Sequence, residues 1–292
     1  MNNPKFSIII PTYNRADFIE KTIKSVLNQT YTDFELIIVD DGSTDNTEEV
    51  VLGIKDDRIR YYKKENEERA IARNFGIVKA KGEFITFLDS DDLFYENHLE
   101  EASNFLLKNK VEAFFQAYEI VKNKGKIKMS FSFQDINKLL IIEGNVISCH
   151  GMFIKKDIAL ENLFNEDINL TASEDYELWI RLASKHKIHH NPIITSCLID
   201  HDTRSVTIIN KEKLIKRKEV FLKYTLENSD VEKFIGKHKN KFIANAYSYI
   251  ALHLVIAKYR KDGLKYFIKA FAQKPSIFFE KRGLAIIKHI FL

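Results

Sequence analysis

Phe84-Ile85-Thr86-Phe87-Leu88-Asp89-Ser90-Asp91-Asp92 is the stretch on which the fold turns. Its first five residues make a short, β-rich apolar run behind Lys81-Gly82, the pattern of a buried strand. Three carboxylates follow within four residues. At the carboxyl end of a parallel strand they point into the crevice where open α/β sheets bind ligands. Gathered there they repel one another unless a cation lies among them. The cluster therefore asks for a hard divalent metal and a phosphate-bearing ligand. Asp is also common in turns and at helix N-caps, and the stretch alone leaves that second reading open.

Upstream, strands and helices alternate. Phe6 to Ile10 reads as a strand broken by Pro11-Thr12-Tyr13-Asn14. From Asp17 to Gln29, the residues Phe18, Ile19, Thr22, Ile23, Val26 and Leu27 share one helical face. Phe34 to Val39 is a second strand, ended by Asp40-Asp41-Gly42-Ser43, with Ser43 or Thr44 expected to cap the next helix. A shorter strand at residues 59–62 and a helix at residues 69–80 lead into the opening stretch. This alternation predicts an α/β fold with a mostly parallel, Rossmann-like sheet flanked by helices. Right-handed crossovers bring the strand ends at residues 10, 39 and 88 to one crevice.

That crevice collects Pro11, Thr12, Tyr13 and Asn14, with Asp40 and Asp41, and Asp89, Ser90 and Asp91. The first strand is not followed by Gly-x-Gly-x-x-Gly, and the chain has no Gly-x-x-x-x-Gly-Lys-Ser/Thr. A diphosphate here is better neutralised by a metal on Asp91. Tyr13 offers a ring against which a base can stack, and Asp41 an acceptor for a base or ribose donor. Singly, Tyr13 reads equally as a rim tyrosine and Asp41 as a turn former; together they favour a nucleotide site.

Hydrophobic content of 45% and 29% charged residues are those of a soluble globular protein. Cys149 and Cys197 give neither a disulfide framework nor metal-ligand spacing. No signal-peptide pattern and no spanning apolar run is read, so a cytoplasmic protein is expected. The net charge of +4 hides an asymmetry: residues 210–292 carry 19 Lys and Arg against 7 Asp and Glu. A tail of +12 on a body of −8 suggests an anionic partner, with lysine-rich solvated helix faces as the plain alternative.

In the second half, residues 146–154 read as a strand with a polar break at Ser148 to Gly151. Thr171-Ala172-Ser173-Glu174-Asp175 opens a helix with Ser173 as N-cap and two carboxylates in its first turn. Residues 193–199 form another strand, and Lys185 to His190 are expected at the surface. His150 reads sooner as a core histidine than as an acceptor contact. After about residue 207 the pattern is helical; residues 263–275 look like one helix of a tetratricopeptide hairpin. Phe278-Phe279, Ile286-Ile287 and Ile290-Phe291-Leu292, interleaved with Lys281, Arg282 and Lys288, suggest a basic amphipathic end.

Several ordered segments resemble family-2 glycosyltransferases of the GT-A fold. They are Ser7-Ile-Ile-Ile-Pro-Thr-Tyr-Asn-Arg15, Gln29-Thr30-Tyr31-x-Asp33-Phe34-Glu35 and Val39-Asp40-Asp41-Gly42-Ser43-Thr44-Asp45. Ala72-Arg73-Asn74-x-Gly76, Gly82-Glu83-x-Ile85 and Leu88-Asp89-Ser90-Asp91-Asp92 follow in order. The match is dense over residues 5–100 and thins to about residue 205. It implies a GT-A domain at 1–207 (nucleotide-sugar half 1–100, acceptor half 101–207) and a basic helical region at 208–292.

Carried over position by position, Thr12, Tyr13 and Asp41 would hold the nucleobase end, and Asp89 the ribose or sugar. Asp91 would ligate Mn²⁺ or Mg²⁺, Arg73 would flank the donor, and His201 would close on the diphosphate or metal. Asp175, in Glu-Asp-aromatic-x-Leu-Trp, matches the catalytic base. The resemblance implies an inverting transferase using a UDP-sugar or similar donor and a glycan or lipid-linked acceptor, in cell-surface polysaccharide synthesis. Peripheral contact with the inner face of the cytoplasmic membrane through the basic tail is expected, and nucleic acid is not. The alternatives are a sugar-phosphate nucleotidyltransferase, which would need a glycine-rich basic loop after the first strand, and a non-catalytic nucleotide-sugar or glycan-binding protein.

Overall fold

The computed structural model describes residues 3–122, 125–129, 135–200 and 210–291. In chain order the elements are β1 (Phe6–Thr12), α1 (Ala16–Leu27), β2 (Phe34–Asp40), α2 (Thr47–Gly53), β3 (Ile59–Lys63), α3 (Arg69–Lys79), β4 (Phe84–Phe87), β5 (Leu93–Phe94), α4 (His98–Lys108), β6 (Ala113–Lys122) and β7 (Gly125–Met129). Then come α5 (Ile136–Ile142), β8 (Met152–Lys155), α6 (Lys156–Glu161), α7 (Glu174–Ala183), β9 (Ile188–Ile199), α8 (Lys211–Glu227), α9 (Ser229–Ile235), α10 (Lys239–Ile256), α11 (Arg260–Gln273) and α12 (Lys281–Phe291).

The chain parts into two units. The first comprises residues 1–136, 147–166 and 186–202; the second comprises 137–146, 167–185 and 203–292. This differs from a division at residue 207: two inner segments, one carrying α7, go with the C-terminal helices.

The first unit is built on a nine-stranded sheet of order β3-β2-β1-β4-β8-β6-β9-β5, with β7 beside β6. β1 and β2 are buried throughout, as their unbroken apolar runs require of strands covered on both faces. They pair in parallel from Phe6 opposite Phe34 to Thr12 opposite Asp40. β4 flanks β1 on the other side, also in parallel. Leu88 N then donates to Ile9 O at 3.0 Å, carrying the ladder one residue past the strand. The carboxyl ends of three strands thus lie along one edge, as the alternation predicted. Beyond β4 the sheet is mixed, because β8 runs antiparallel to both β4 and β6.

Phe6, Phe84, Phe114 and Phe153 interlock in the core, Phe114 stacked on Phe153 with centroids 4.7 Å apart. α3 lies close on β1: a Cβ at Gly76 would stand 2.5 Å from Ile9 Cγ2, so only glycine fits. That contact seats Arg73, one turn earlier, beneath the end of β4.

In the second unit α10, α11 and α12 pack around Ile250, Leu254, Phe267, Ile277 and Ile286. α11 forms as the pattern of residues 263–275 predicted, and α12 is the basic amphipathic end expected, with its apolar face turned inward. Ile286 is buried, with Ile287 and Ile290 packed on the same core. Two further local readings need correction. Residues 149–151 form a 3-10 turn, with the strand confined to Met152–Lys155. His190 belongs to β9, its ring stacked on Phe115 at 5.8 Å, and is not a surface residue of a loop.

Candidate active site

Thr12 ends β1 with a buried hydroxyl whose Oγ1 has no hydrogen-bond partner among the described residues. Pro11, just before it, pairs opposite Val39. Tyr13 is 45% exposed and turns its ring to solvent. Asn14 adopts φ +50°, a left-handed conformation that Asn tolerates. Its Oδ1 accepts from the backbone N of Thr44 at 2.8 Å and of Asp45 at 3.4 Å, and its own N donates to Ser43 Oγ at 2.9 Å. The turns after β1 and β2 are thereby locked together. Ser43 and Thr44 serve this lock and do not cap α2, whose N-cap is Asn46.

Asp41 completes this corner. Its N donates to Thr12 O at 2.8 Å. Oδ1 accepts from Lys64 Nζ at 2.9 Å and Glu67 N at 3.1 Å, while Oδ2 accepts no hydrogen bond among the described residues. An open acceptor and an unsatisfied hydroxyl therefore sit on bonded neighbours. Asp40 is different: Ser43 N and the Tyr61 hydroxyl occupy its two oxygens at 2.7 and 2.6 Å, which makes it structural.

The three carboxylates after β4 each meet a different side chain or backbone group of the protein. Asp89 Oδ1 accepts from Arg73 Nη2 at 2.8 Å, and that guanidinium is buried over the Phe164 ring. Asp91 Oδ2 lies 3.6 Å from Arg15 Nε. Asp92 is fully buried; Oδ1 accepts from Ile199 N at 2.9 Å and Oδ2 stands 3.6 Å from His150 Nδ1. Asp92 thus pins β9. Thr22 Oγ1 lies 3.0 Å from the carbonyls of both Ser90 and Asp92, fixing the turn from α1. His150 is a core residue, 2.7 Å from Ser148 Oγ and edge-on to Tyr118.

In the second unit Asp175 lies in the first turn of α7. Its Oδ2 accepts from Asn145 Nδ2 at 2.9 Å, and its Oδ1 from Tyr176 N at 2.7 Å. Ser173 is the N-cap, as expected, but its side chain makes no capping bond; its Oγ accepts from Lys218 Nζ at 3.0 Å. Trp179 and Leu178 are fully buried and anchor the helix. His201 lies outside the described residues.

The model of glycosyl transferase family 2 matches residues 7–163, more than half of the chain and all of the corner just described. The chain belongs to glycosyl transferase family 2. This family-2 chain is 34% identical, over 78% of its length and 89% of the relative's, to the Escherichia coli UDP-Glc:alpha-D-GlcNAc-diphosphoundecaprenol beta-1,3-glucosyltransferase WfgD. It is 30% identical, over 62% of its length, to the putative teichuronic acid biosynthesis glycosyltransferase TuaG of Bacillus subtilis. An uncharacterized glycosyltransferase of Rickettsia conorii is 41% identical over 192 residues, but the chain spans only 32% of that relative's length. Among solved structures, S. aureus TarS 1–349 with UDP-GlcNAc superposes with a TM-score of 0.70 at 19% identity, covering 98% of this chain and 88% of that one. The mannosyltransferase PcManGT of Pyrobaculum calidifontis, in complex with GDP-Man and Mn²⁺, gives 0.60 at 17% identity, covering 100% and 88%. At such identities the likeness shows the fold, which is of the GT-A type.

The described residues contain no cluster of three or more His, Cys, Asp or Glu able to cage an ion. The donor chemistry of this corner nonetheless fits Mg²⁺ or Mn²⁺, hard cations commonly held by one or two carboxylates plus substrate phosphates. Asp91 provides the hard oxygen. Arg15 was missed in sequence, and Asn14 was placed in the crevice without a role; their signal was adjacency to Tyr13, which names a turn without naming its partners.

Proposed function

We propose that this chain transfers a sugar, with inversion, from a nucleoside-diphosphate sugar to a glycan or lipid-linked acceptor in making a cell-surface polysaccharide. The observation that carries the reading is the edge where three parallel strands end. It gathers the unsatisfied Thr12 hydroxyl, the open Asp41 oxygen, the exposed Tyr13 ring and the Asp89-Ser90-Asp91 turn.

In this reading Tyr13 stacks on the nucleobase, beside the Pro11-Thr12 strand end. Thr12 Oγ1 and Asp41 Oδ2 satisfy its polar edge or the ribose, each removing the cost of an unmade bond. Asp89, oriented by Arg73, faces the ribose or sugar, and Asp91 holds Mn²⁺ or Mg²⁺. When bound, that ion supplies Lewis-acid stabilisation of the leaving nucleoside diphosphate. Asp175 takes the proton of the acceptor hydroxyl as its oxygen attacks the anomeric carbon and the bond to the diphosphate oxygen breaks. A single base suffices because no covalent enzyme intermediate is formed.

The substrates in WfgD's name support a UDP-sugar donor and a lipid-diphosphate acceptor. No helix among the described residues is long and apolar enough to cross a membrane. Contact with the inner face of the membrane falls instead to α11. Leu264, Ile268 and Phe271 recur there at helical spacing and are 44, 59 and 44% exposed, beside exposed Lys261 and Lys265. Apolar centre and basic flank suit an anionic bilayer surface.

The test is Asp175→Asn. Transfer should be lost while UDP binding with Mn²⁺, followed by calorimetry, persists; undiminished transfer would overturn the assignment.

A further inference from the structure

Basic side chains from three helices of the second unit converge on one aromatic ring. Lys218 of α8 holds Nζ 4.6 Å from the centroid of Tyr249 on α10, and 5.4 and 5.9 Å from those of Phe221 and Tyr176. His253, one turn beyond Tyr249, lies against the same ring with centroids 4.0 Å apart. Arg282 of α12 donates Nη1 to Asn245 O and to Ser248 Oγ, the neighbour of Tyr249, each at 3.2 Å. Arg217 adjoins Lys218 in sequence. Arg217, Lys218, Tyr249, His253 and Arg282 are half-buried.

Among the described residues none of Arg217, Lys218 and Arg282 has a carboxylate within the 4.0 Å of an ion pair. Other lysines of this unit do: Lys211 pairs with Asp262, and Lys239 with Glu232. Glu280, the carboxylate nearest in sequence to Arg282, is committed to Lys241 and Lys274 at 2.6 and 2.7 Å. Glu143, also within electrostatic reach of Arg282, is solvent-exposed. Partly buried cations with no carboxylate at ion-pair distance are costly, and an anion in direct contact relieves that cost. Burial, reinforced by Arg217 and Arg282 and opposed by Asp175 and Glu174, pushes the Lys218 ammonium down to about 8. Burial likewise holds the His253 imidazole low, with Lys218, Arg282 and Arg217 adding to it.

The cluster adjoins the proposed base. Lys218 Nζ bonds Ser173 Oγ, the N-cap of the helix whose first turn carries Asp175, and helix N-termini favour anions. We propose that Lys218, Arg282 and Arg217 form a binding site for a phosphate or diphosphate group of the acceptor, holding its sugar beside Asp175. The placing beside the base rests on the glycosyltransferase reading; the anion site itself does not. Guanidinium forks would grip the oxygens bidentately and the ammonium would add a point charge, with the Tyr249, Tyr176 and Phe221 rings keeping water away.

The test is calorimetric titration of the full chain with inorganic pyrophosphate in EDTA. Binding should weaken about tenfold or more in Lys218→Gln and in Arg282→Gln. It should be kept in Lys218→Arg and in the exposed-lysine control Lys213→Gln, with thermal melts checking that each variant folds. Absence of binding, or binding that falls in Arg15→Gln and not in Lys218→Gln, overturns the proposal. Displacement by a short-chain alkyl diphosphate-linked sugar supports an acceptor source; displacement by phosphatidylglycerol vesicles alone refutes it in favour of a lipid headgroup. Transfer by an Asp175→Asn variant would sink the base assignment while leaving the pyrophosphate result standing.

Discussion

Arg15 Nε stands 3.6 Å from Asp91 Oδ2, so the carboxylate proposed to hold the metal already has a cation on its flank. Were Asp91 to hold a divalent ion as proposed, that ion would supply charge stabilisation for a diphosphate, and Arg15 would stand beside both as a second cation. Arg15→Gln should raise the donor KM by about tenfold, the worth of one charged hydrogen bond. Asp91→Asn should lower kcat/KM on the order of 10²-fold or more. Steady-state rates across a Mn²⁺ series read both, and an Asp91→Asn enzyme of normal Mn²⁺ dependence would remove the metal role.

Arg73 and Asp89 form a pair of unequal exposure, 2% against 29% at the side chains. Asp89→Asn takes a charged bond from a guanidinium almost wholly out of water; Arg73→Met takes it from a carboxylate that water still reaches. Asp89→Asn should therefore destabilise by more than Arg73→Met does, on the order of 3 kcal/mol against about 1–2. Urea midpoints at pH 7 decide it, and a reversed ranking would mean that Arg73 acts mainly through packing on Phe164.

Much of this was readable because the first half of the chain obeys local rules. Unbroken apolar runs such as Ile8-Ile9-Ile10 and Leu36-Ile37-Ile38 can only be strands buried on both faces, and parallel pairing then fixes where Thr12, Asp41 and Asp89 must end. What stayed hidden was pairing at long range. Nothing local says that Asp92 meets Ile199, or that Asn14 reaches across to Thr44 and Asp45. The packing of the tail stayed hidden for the same reason. Ile286, Ile287 and Ile290 look like a docking face until α10 and α11 are seen to cover them.

His98 carries a pH dependence. It is wholly buried between Phe94 and Phe153, its Nδ1 2.8 Å from Thr195 Oγ1. Burial, then the neighbouring His150, hold its imidazole well below the usual histidine range. The folded protein thus keeps it neutral where the unfolded chain takes up a proton. Stability is full above about pH 6.5 and falls with acidity below it, by up to about 1.4 kcal/mol per pH unit for this group. His189 and His190, also held low by burial, steepen the slope. Urea midpoints from pH 7.5 to 5 measure it; a flat profile would show that His98 protonates in place.

The exposed face of α11 gives a prediction that separates membrane contact from catalysis. Ile268 lies 59% exposed amid Leu264 and Phe271, so a carboxylate there costs the fold little. On an anionic surface it costs twice, through lost apolar insertion and through repulsion. Ile268→Glu should lower partition onto phosphatidylglycerol vesicles by about tenfold or more, and leave turnover of a water-soluble acceptor intact. Lys261→Gln and Lys265→Gln should each act more weakly, by about the 1 kcal/mol of one surface cation, and their effect should fade in high salt. Because Ile286 is buried in the same unit, Ile286→Glu should unfold the helices instead of merely freeing them from lipid. A chain that floats equally well with vesicles in all of these variants makes no such contact through α11.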